Sequence, residues 1–284
     1  CPSFIGVSSS SLSEPVKKSF PNLPDILNTL SKPKQNLNQI QNIIMAGIGG
    51  TGISTVAAII VMAARIDKLY AQSMNFTGLA QKNGAVFSHI RVSAKKSKLN
   101  AVRVPAGQAD LVLGCDMVAT AELDVLSRFR TGHTKAIINY NKVMTSDFTG
   151  NPDAEFPSQT IYNLINKASG TSETEFVEVT QTAVQLLGTS LASNIFLLGY
   201  ACQRGLLPLS VEAIEEAIAV NGISVNLNKQ AFLWGRRMAF NSNQVKKLLG
   251  APKKLPERFN LKNFIQGRVA ELEKYQNIRY AHRY

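Results

Sequence analysis

The residues of this chain best placed to do chemistry are a glycine run, Gly47-Ile48-Gly49-Gly50-Thr51-Gly52. It follows a short apolar stretch, Asn42 to Ala46, and opens a helical pattern from Ile53 to Arg65. Strand, tight turn and helix form the context in which G-x-G-x-x-G spacing can act on a ligand. The backbone must turn sharply and let a phosphate or another stretch of protein come close, which glycine permits. The helix N-terminus that follows presents unpaired N–H groups and a partial positive charge. A turn that only lets the helix pack tightly on its strand needs the same glycines, so at this point both readings stand. Gly47, Gly49, Gly50, Thr51 and Gly52 are the candidate anion-contacting residues.

The second candidate stretch runs from Thr77 to Val92, punctuated by Gly78 and Gly84. Strand alternation places Phe87, His89 and Arg91 on one face and Val86, Ser88, Ile90 and Val92 on the other. With Gln81 and Lys82 in the preceding turn, His89 and Arg91 could make an anion or carboxylate site. The competing reading is a satisfied histidine and a surface arginine on an edge strand. A dinucleotide unit would also place an acid about 20 residues past the glycines, for the ribose hydroxyls. Asn75 stands there instead, and Asp67 sits earlier, in a turn where it is expected to face water. No Lys-Ser/Thr pair follows Gly52, so a P-loop is not read either. The three histidines, His89, His133 and His282, lack metal-ligand spacing. Cys115 and Cys202 sit in apolar segments and read as buried structural thiols.

The elements that must hold these residues alternate from 42 to 139. Expected strands are Asn42–Ala46, Leu69–Met74, Val86–Val92, Ala101–Val104, Asp110–Gly114 and Lys135–Asn139. Expected helices are Ile53–Arg65 and Met117–Phe129. This alternation predicts an α/β fold, a three-layer Rossmann-like α/β/α domain with a helical C-terminal extension. Residues 140–175 read as loop-rich. Beyond Thr180, apolar residues at three-to-four spacing predict helices at Gln181–Leu187, Ala192–Gln203, Val211–Val220, Lys229–Phe240 and Leu261 to about Tyr275. The expected domains are a linker over 1–40, the sheet domain over 41–175 and the helical extension over 176–284.

With 284 residues, 45% of them apolar, the chain can build one good core or two modest ones. Its longest apolar run, Val56 to Ala64, is about half of the roughly 20 residues that span a bilayer, so no membrane partner is expected. No secretory signal is read, and three scattered cysteines make no disulfide framework, so the expected setting is the cytoplasm. The net charge of +12 is concentrated near the C-terminus, where ten Lys/Arg face three Glu between Lys246 and Tyr284. Such a tail suits an acidic protein surface; no nucleic-acid reader motif accompanies it, and nucleic acid is not the expected partner. A nucleotide-dependent dehydrogenase domain, or a non-catalytic scaffold module with a basic tail, are the alternative readings of the chain as a whole.

Taken together, the Gly47–Gly52 run, Thr77-Gly78-Leu79-Ala80-Gln81-Lys82 with Gly84, and Ser88-His89-Ile90-Arg91 resemble the gamma domain of 2-oxoacid:ferredoxin oxidoreductases. The longer resemblance is to the fused, single-chain indolepyruvate ferredoxin oxidoreductases. It continues through Ala109–Asp116, Asn194–Gly205, Asn221-Gly222, Ala231–Arg237 and the closing Arg268-Val269, Tyr275-Gln276 and Tyr280-Ala281, so it covers nearly the whole chain. Lys82-Asn83 stands where a basic residue followed by glycine is common in the family. Cys1-Pro2-Ser3-Phe4 is similar to the end of the family's iron–sulfur domain, which implies a piece of a longer protein and makes Cys1 a cluster ligand only beside an upstream cluster domain. The resemblance implies oxidative decarboxylation of an arylpyruvate on thiamine diphosphate, electron transfer through 4Fe-4S clusters to ferredoxin, and capture of the acyl group by coenzyme A. It places those cofactors mainly in other domains of the same enzyme, expected as a homo-oligomer. This stretch then supplies a wall of the assembly, with no catalytic residue of its own, and is expected to be inactive alone.

Overall fold

Short β-branched runs alternating with amphipathic helices make a sheet that must be covered on both faces. The computed structural model describes residues 40–77, 84–143, 151, 155–170, 173–249 and 261–283. In chain order the elements are β1 (Gln41–Ile48), α1 (Ile53–Ile66), β2 (Tyr70–Thr77), β3 (Ala85–Ser93), β4 (Leu111–Gly114), α2 (Met117–Thr120), α3 (Leu123–Leu126), β5 (Lys135–Asn139), α4 (Ser158–Ser169) and β6 (Thr174–Val177). Helices α5 (Val179–Leu187), α6 (Ser193–Gln203), α7 (Val211–Asn221), α8 (Val225–Phe240), α9 (Ser242–Leu249), α10 (Leu261–Tyr275) and α11 (Ile278–Ala281) follow. The chain divides into two compact units, Cys1–Lys246 and Lys247–Tyr284. None of the described helices is long and apolar enough to cross a membrane.

The six strands form one mixed sheet in the order β2-β3-β1-β4-β5-β6. β1, β4, β5 and β6 run parallel, while β3 is antiparallel to both of its neighbours, β1 and β2. The pleat sends alternate residues of each strand to opposite faces. Ile44 and Ala46 join Val112, Ala136 and Ile138 in a core completed by Met117, Val125, Ile161 and Ile165, so α2, α3 and α4 cover that face. Ile43 and Met45 turn to the other face, where α1 lies on the sheet through Val56, Ala57, Ile60 and Ala63. α7 packs against α1, and α6 runs beside β4 and β5. This is the three-layer α/β/α arrangement expected from the sequence.

Four local expectations are corrected. Ala101–Val104 is not a strand. Its backbone bonds to side chains of β3 instead: the Ala101 carbonyl accepts from Arg91 Nη1, and Val104 N–H donates to His89 Nδ1 at 3.1 Å. The helix expected over Met117–Phe129 is broken in two, because Glu122 takes an extended conformation (φ −67°, ψ 144°). Thr120 Oγ1 donates back to the Asp116 carbonyl in the last turn of α2, the kind of bond that bends or ends helices. The loop-rich span 140–175 contains α4 and β6. α4 buries only Ile161 and Ile165 among large apolar residues, a stripe too thin to read against its polar surroundings. Asp67, expected to face water, accepts from Ser210 N and Oγ, both at 2.6 Å.

Candidate functional site

In an open α/β sheet, ligands settle outside the carboxyl ends of the strands where the strand order reverses. The chain leaves β1 for β2 on one side of the sheet, while β4 flanks β1 on the other, so the switch point lies between β1 and β4. The glycine run occupies the carboxyl end of β1. Gly50 (φ 84°) and Gly52 (φ 88°) both sit in the left-handed region that favours glycine. Gly47 serves close packing instead: a Cβ there would come within 2.5 Å of Ile53 Cδ1 and 3.1 Å of Cys115 Cβ. Close packing therefore accounts for Gly47, and the tight left-handed turn for Gly50 and Gly52.

The turn is braced by Gly49 N–H, which donates to the Gly84 carbonyl at 2.8 Å, and by Thr51, whose N–H and Oγ1 both donate to the Ile48 carbonyl. The first bond of α1 runs from Val56 N–H to the Gly52 carbonyl, and Gly52 makes no side-chain cap. Among the described residues, the amides of Gly50, Gly52, Ile53, Ser54 and Thr55 meet no acceptor. Gly50, Gly52 and Ser54 are exposed, so these donors open outward from the turn. That is the arrangement by which a helix N-terminus takes an anion.

Beside the turn lies a cavity of about 200 Å³ lined from the carboxyl ends of β1, β4 and β5. Its polar wall is built from Asp116, Asn139, Thr180 and Asn194, none of which the sequence singled out as a site residue. Asn194 reaches from α6 to donate to the Thr51 carbonyl at 2.7 Å. Asn139 donates to the Cys115 carbonyl and to Thr180 Oγ1, and accepts from the amides of Val179 and Thr180, which pins the start of α5 to the end of β5. Asp116 caps α2 by accepting from Ala119 N–H at 2.9 Å. Burial pushes the Asp116 carboxyl above the usual carboxylate range, although amide donors from Ala119 and Val118 act against this. Burial, reinforced by the Asp116 carboxylate, raises the Cys115 thiol far above the pH at which it could act as a nucleophile. The sequence signal was positional: Asn139 ends one expected strand, and Asp116 falls just beyond another.

The expected site residues do not all meet here. Gln81 and Lys82 lie outside the described residues, as does Cys1. The strands bounding that connection do end at the glycine turn, where Thr77 pairs with Val86 and Ile48 with Ala85. His89 and Arg91 lie farther down the sheet: they pair with Ile44 and Asn42, at and near the start of β1. Arg91 stands five residues along β3 from Val86, roughly 17 Å at strand spacing. β3 is an interior strand, so neither residue is on an edge. His89 is 1% exposed, stacks edge-on against Phe76 and accepts from Val104 N–H. Burial, with Arg128 and Arg103 nearby and Asp124 opposing them, lowers its pKa to about 4.

The chain matches the family model described as pyruvate ferredoxin/flavodoxin oxidoreductase over residues 42–238. It belongs to that family, whose members are oxidoreductase components acting within a larger 2-oxo acid oxidoreductase. Among curated relatives it is 27% identical over 202 residues to indolepyruvate oxidoreductase subunit IorB of Archaeoglobus fulgidus, which spans 70% of this chain and 96% of that protein. The fold is shared with the pyruvate oxidoreductase subunit PORC of Thermotoga maritima (TM-score 0.50, 18% identity, 70% of this chain and 97% of that one). It is shared also with the 2-oxoglutarate:ferredoxin oxidoreductase of Magnetococcus marinus, solved with 2-oxoglutarate, coenzyme A and succinyl-CoA (TM-score 0.54, 17% identity, 72% of this chain and 31% of that one).

Two cofactors that the family implies can be tested against the residues present. A 4Fe-4S cluster takes four thiolates. The described cysteines, Cys115 and Cys202, are both buried and free, and no three His, Cys, Asp or Glu residues converge among the described residues. These residues do not fit a cluster. A cavity of about 200 Å³ is also smaller than the roughly 300–1,000 Å³ that encloses a ligand the size of thiamine diphosphate.

Proposed function

We propose that this chain is the gamma-type component of an enzyme that oxidatively decarboxylates indolepyruvate, or another arylpyruvate, to an acyl-CoA and passes the electrons to ferredoxin. The observation that carries it is the open glycine crossover at the switch point, lying inside a family match that runs from 42 to 238. The relatives named as indolepyruvate oxidoreductase subunits, matched over nearly their whole length, support the substrate class. Thiamine diphosphate and the 4Fe-4S clusters belong to other domains or subunits, and the setting is the cytoplasm. The domains are a linker over 1–40, the sheet domain over 41–175 and the helical extension over 176–284. The turn of Gly49, Gly50, Thr51 and Gly52 faces the assembly, and its open amides, those of Gly50 and of Gly52 to Thr55, receive an anionic group from it. Coenzyme A is the ligand of that assembly best supplied with such groups.

The dehydrogenase alternative finds no support in the strand order. β2, which would carry the ribose-binding acid, is separated from β1 by β3, and Asn75, inside β2, accepts from Ser88 Oγ at 2.7 Å. The test is ferredoxin reduction by the complete enzyme containing this chain, with indolepyruvate and coenzyme A supplied. Reduction dependent on both, and absent with the isolated chain, is expected. Reduction by the isolated chain, or turnover of pyruvate and 2-oxoglutarate but of no arylpyruvate, would overturn the proposal.

A further inference from the structure

A cavity larger than the one at the switch point lies elsewhere on the sheet. About 520 Å³ opens at the other end of the sheet, where β1 begins and the 94–110 connection folds over β3 and β4. Its volume falls within the range of small-molecule sites. Three cations line it, Arg91, Lys98 and Arg130, together with His133 and a single acid, Asp110.

The acid is already committed. Asp110 Oδ2 accepts from Asn42 N–H at 2.7 Å, and Oδ1 lies 2.9 Å from His133 Nε2. Arg91 is the built element of the wall. It is only 8% exposed, and two of its donors are spent on holding it in place, Nε on Asn42 Oδ1 at 3.0 Å and Nη1 on the Ala101 carbonyl. Asn42 is fixed in turn by donating Nδ2 to the Gln108 carbonyl at 2.8 Å. Among the described residues nothing accepts from Arg91 Nη2, and nothing accepts from the guanidinium of the exposed Arg130. Among the described residues Arg91 has no carboxylate partner, and a buried cation without one is costly.

We propose that this cavity is a second ligand site, for a phosphate-bearing small molecule, separate from the glycine turn. Arg91 Nη2 takes one phosphate oxygen from the floor and Arg130 takes another from the rim, a two-point grip suited to the tetrahedral group. Lys98 adds positive field at the mouth. The remaining volume accommodates an organic portion beyond the phosphate. The site lies in the sheet unit itself and uses no residue of the glycine crossover, so it stands whatever enzyme this chain serves.

The test is a titration of the purified chain at constant ionic strength, first with inorganic phosphate and then with ADP. Heat of binding and the His133 Hε1 proton resonance are followed together. Saturable binding that shifts His133 is expected, weakened at least tenfold in Arg130→Glu and restored in Arg130→Lys. Because Arg130 is exposed, neither change threatens the fold, which circular dichroism verifies. ADP binding more tightly than phosphate would identify a phosphate ester with an organic body; equal affinities would identify a site for the free oxyanion. Absence of saturable binding by either probe, or binding that Arg130→Glu leaves unaltered, would overturn the proposal.

Discussion

His89 shows how a residue that reads as catalytic becomes structural. Its ring is buried between Phe76 and the 101–104 segment, and its Nδ1 must be unprotonated to accept from Val104 N–H. Burial first, then the Arg128 and Arg103 charges, hold its pKa near 4, below the ordinary 6.5. The unfolded chain therefore takes up this proton before the folded one does. The stability is fully present above pH 6.5 and is lost as pH falls from 6.5 towards 4, by on the order of 3 kcal/mol. Urea midpoints measured between pH 7.5 and 4 should show that decline. His89→Gln keeps an acceptor for Val104 and should flatten it, at some cost to stability near neutrality. An equally steep decline in the variant would mean that another group titrates there.

At the scale of elements, the most demanding contact is the crossing of α6 and α8. A Cβ on Gly199 would come within 2.1 Å of the Phe232 carbonyl oxygen, and one on Gly235 within 1.9 Å of the Phe196 carbonyl oxygen. The two helix backbones touch, so each glycine is required by the other helix and not by its own. This gives a physical reason for the Asn194–Gly205 and Ala231–Arg237 stretches, which are the two sides of one crossing. Gly199→Ala or Gly235→Ala should destabilise the fold by about 3 kcal/mol, at the upper end of overpacking costs. At roughly 2–4 °C per kcal/mol for a protein of this size, a thermal melt would fall by about 6–12 °C. Gly267 in α10 is the contrast: no atom lies within 4 Å of an added Cβ. Gly267→Ala should gain up to about 1 kcal/mol of helix stability. A melt insensitive to Gly199→Ala would show that the helices can move apart.

Across the whole molecule, both ends of α1 are held by bonds between distant segments. Asn194 to Thr51 and Ser210 to Asp67 each join residues 143 positions apart. The helices beyond residue 179 thus hold the glycine turn and the end of α1 in place, and the turn's open amides depend on them. Asn194→Ala should cost about 1–2 kcal/mol, since the Thr51 carbonyl loses its partner. It should also speed hydrogen exchange across residues 49–55 relative to β4 and β5. Exchange unchanged in that window would mean that the turn holds its shape without α6.

What the sequence determined by itself is local. The four-glycine turn, the strands at Val86–Val92 and Lys135–Asn139 and the helices at Ile53–Arg65 and Val211–Val220 were legible, because periodicity and positive-φ turns are set by residues a few positions apart. The order of the strands was not legible, since nothing within β3 announces that it inserts antiparallel between β1 and β2. That insertion carries Arg91 to the start of β1, far from the glycine turn with which its chemistry had grouped it. Asp116, Asn139 and Asn194 likewise become one wall only when the ends of three elements meet. Register and crossing decide such matters, through contacts between residues tens to more than a hundred positions apart.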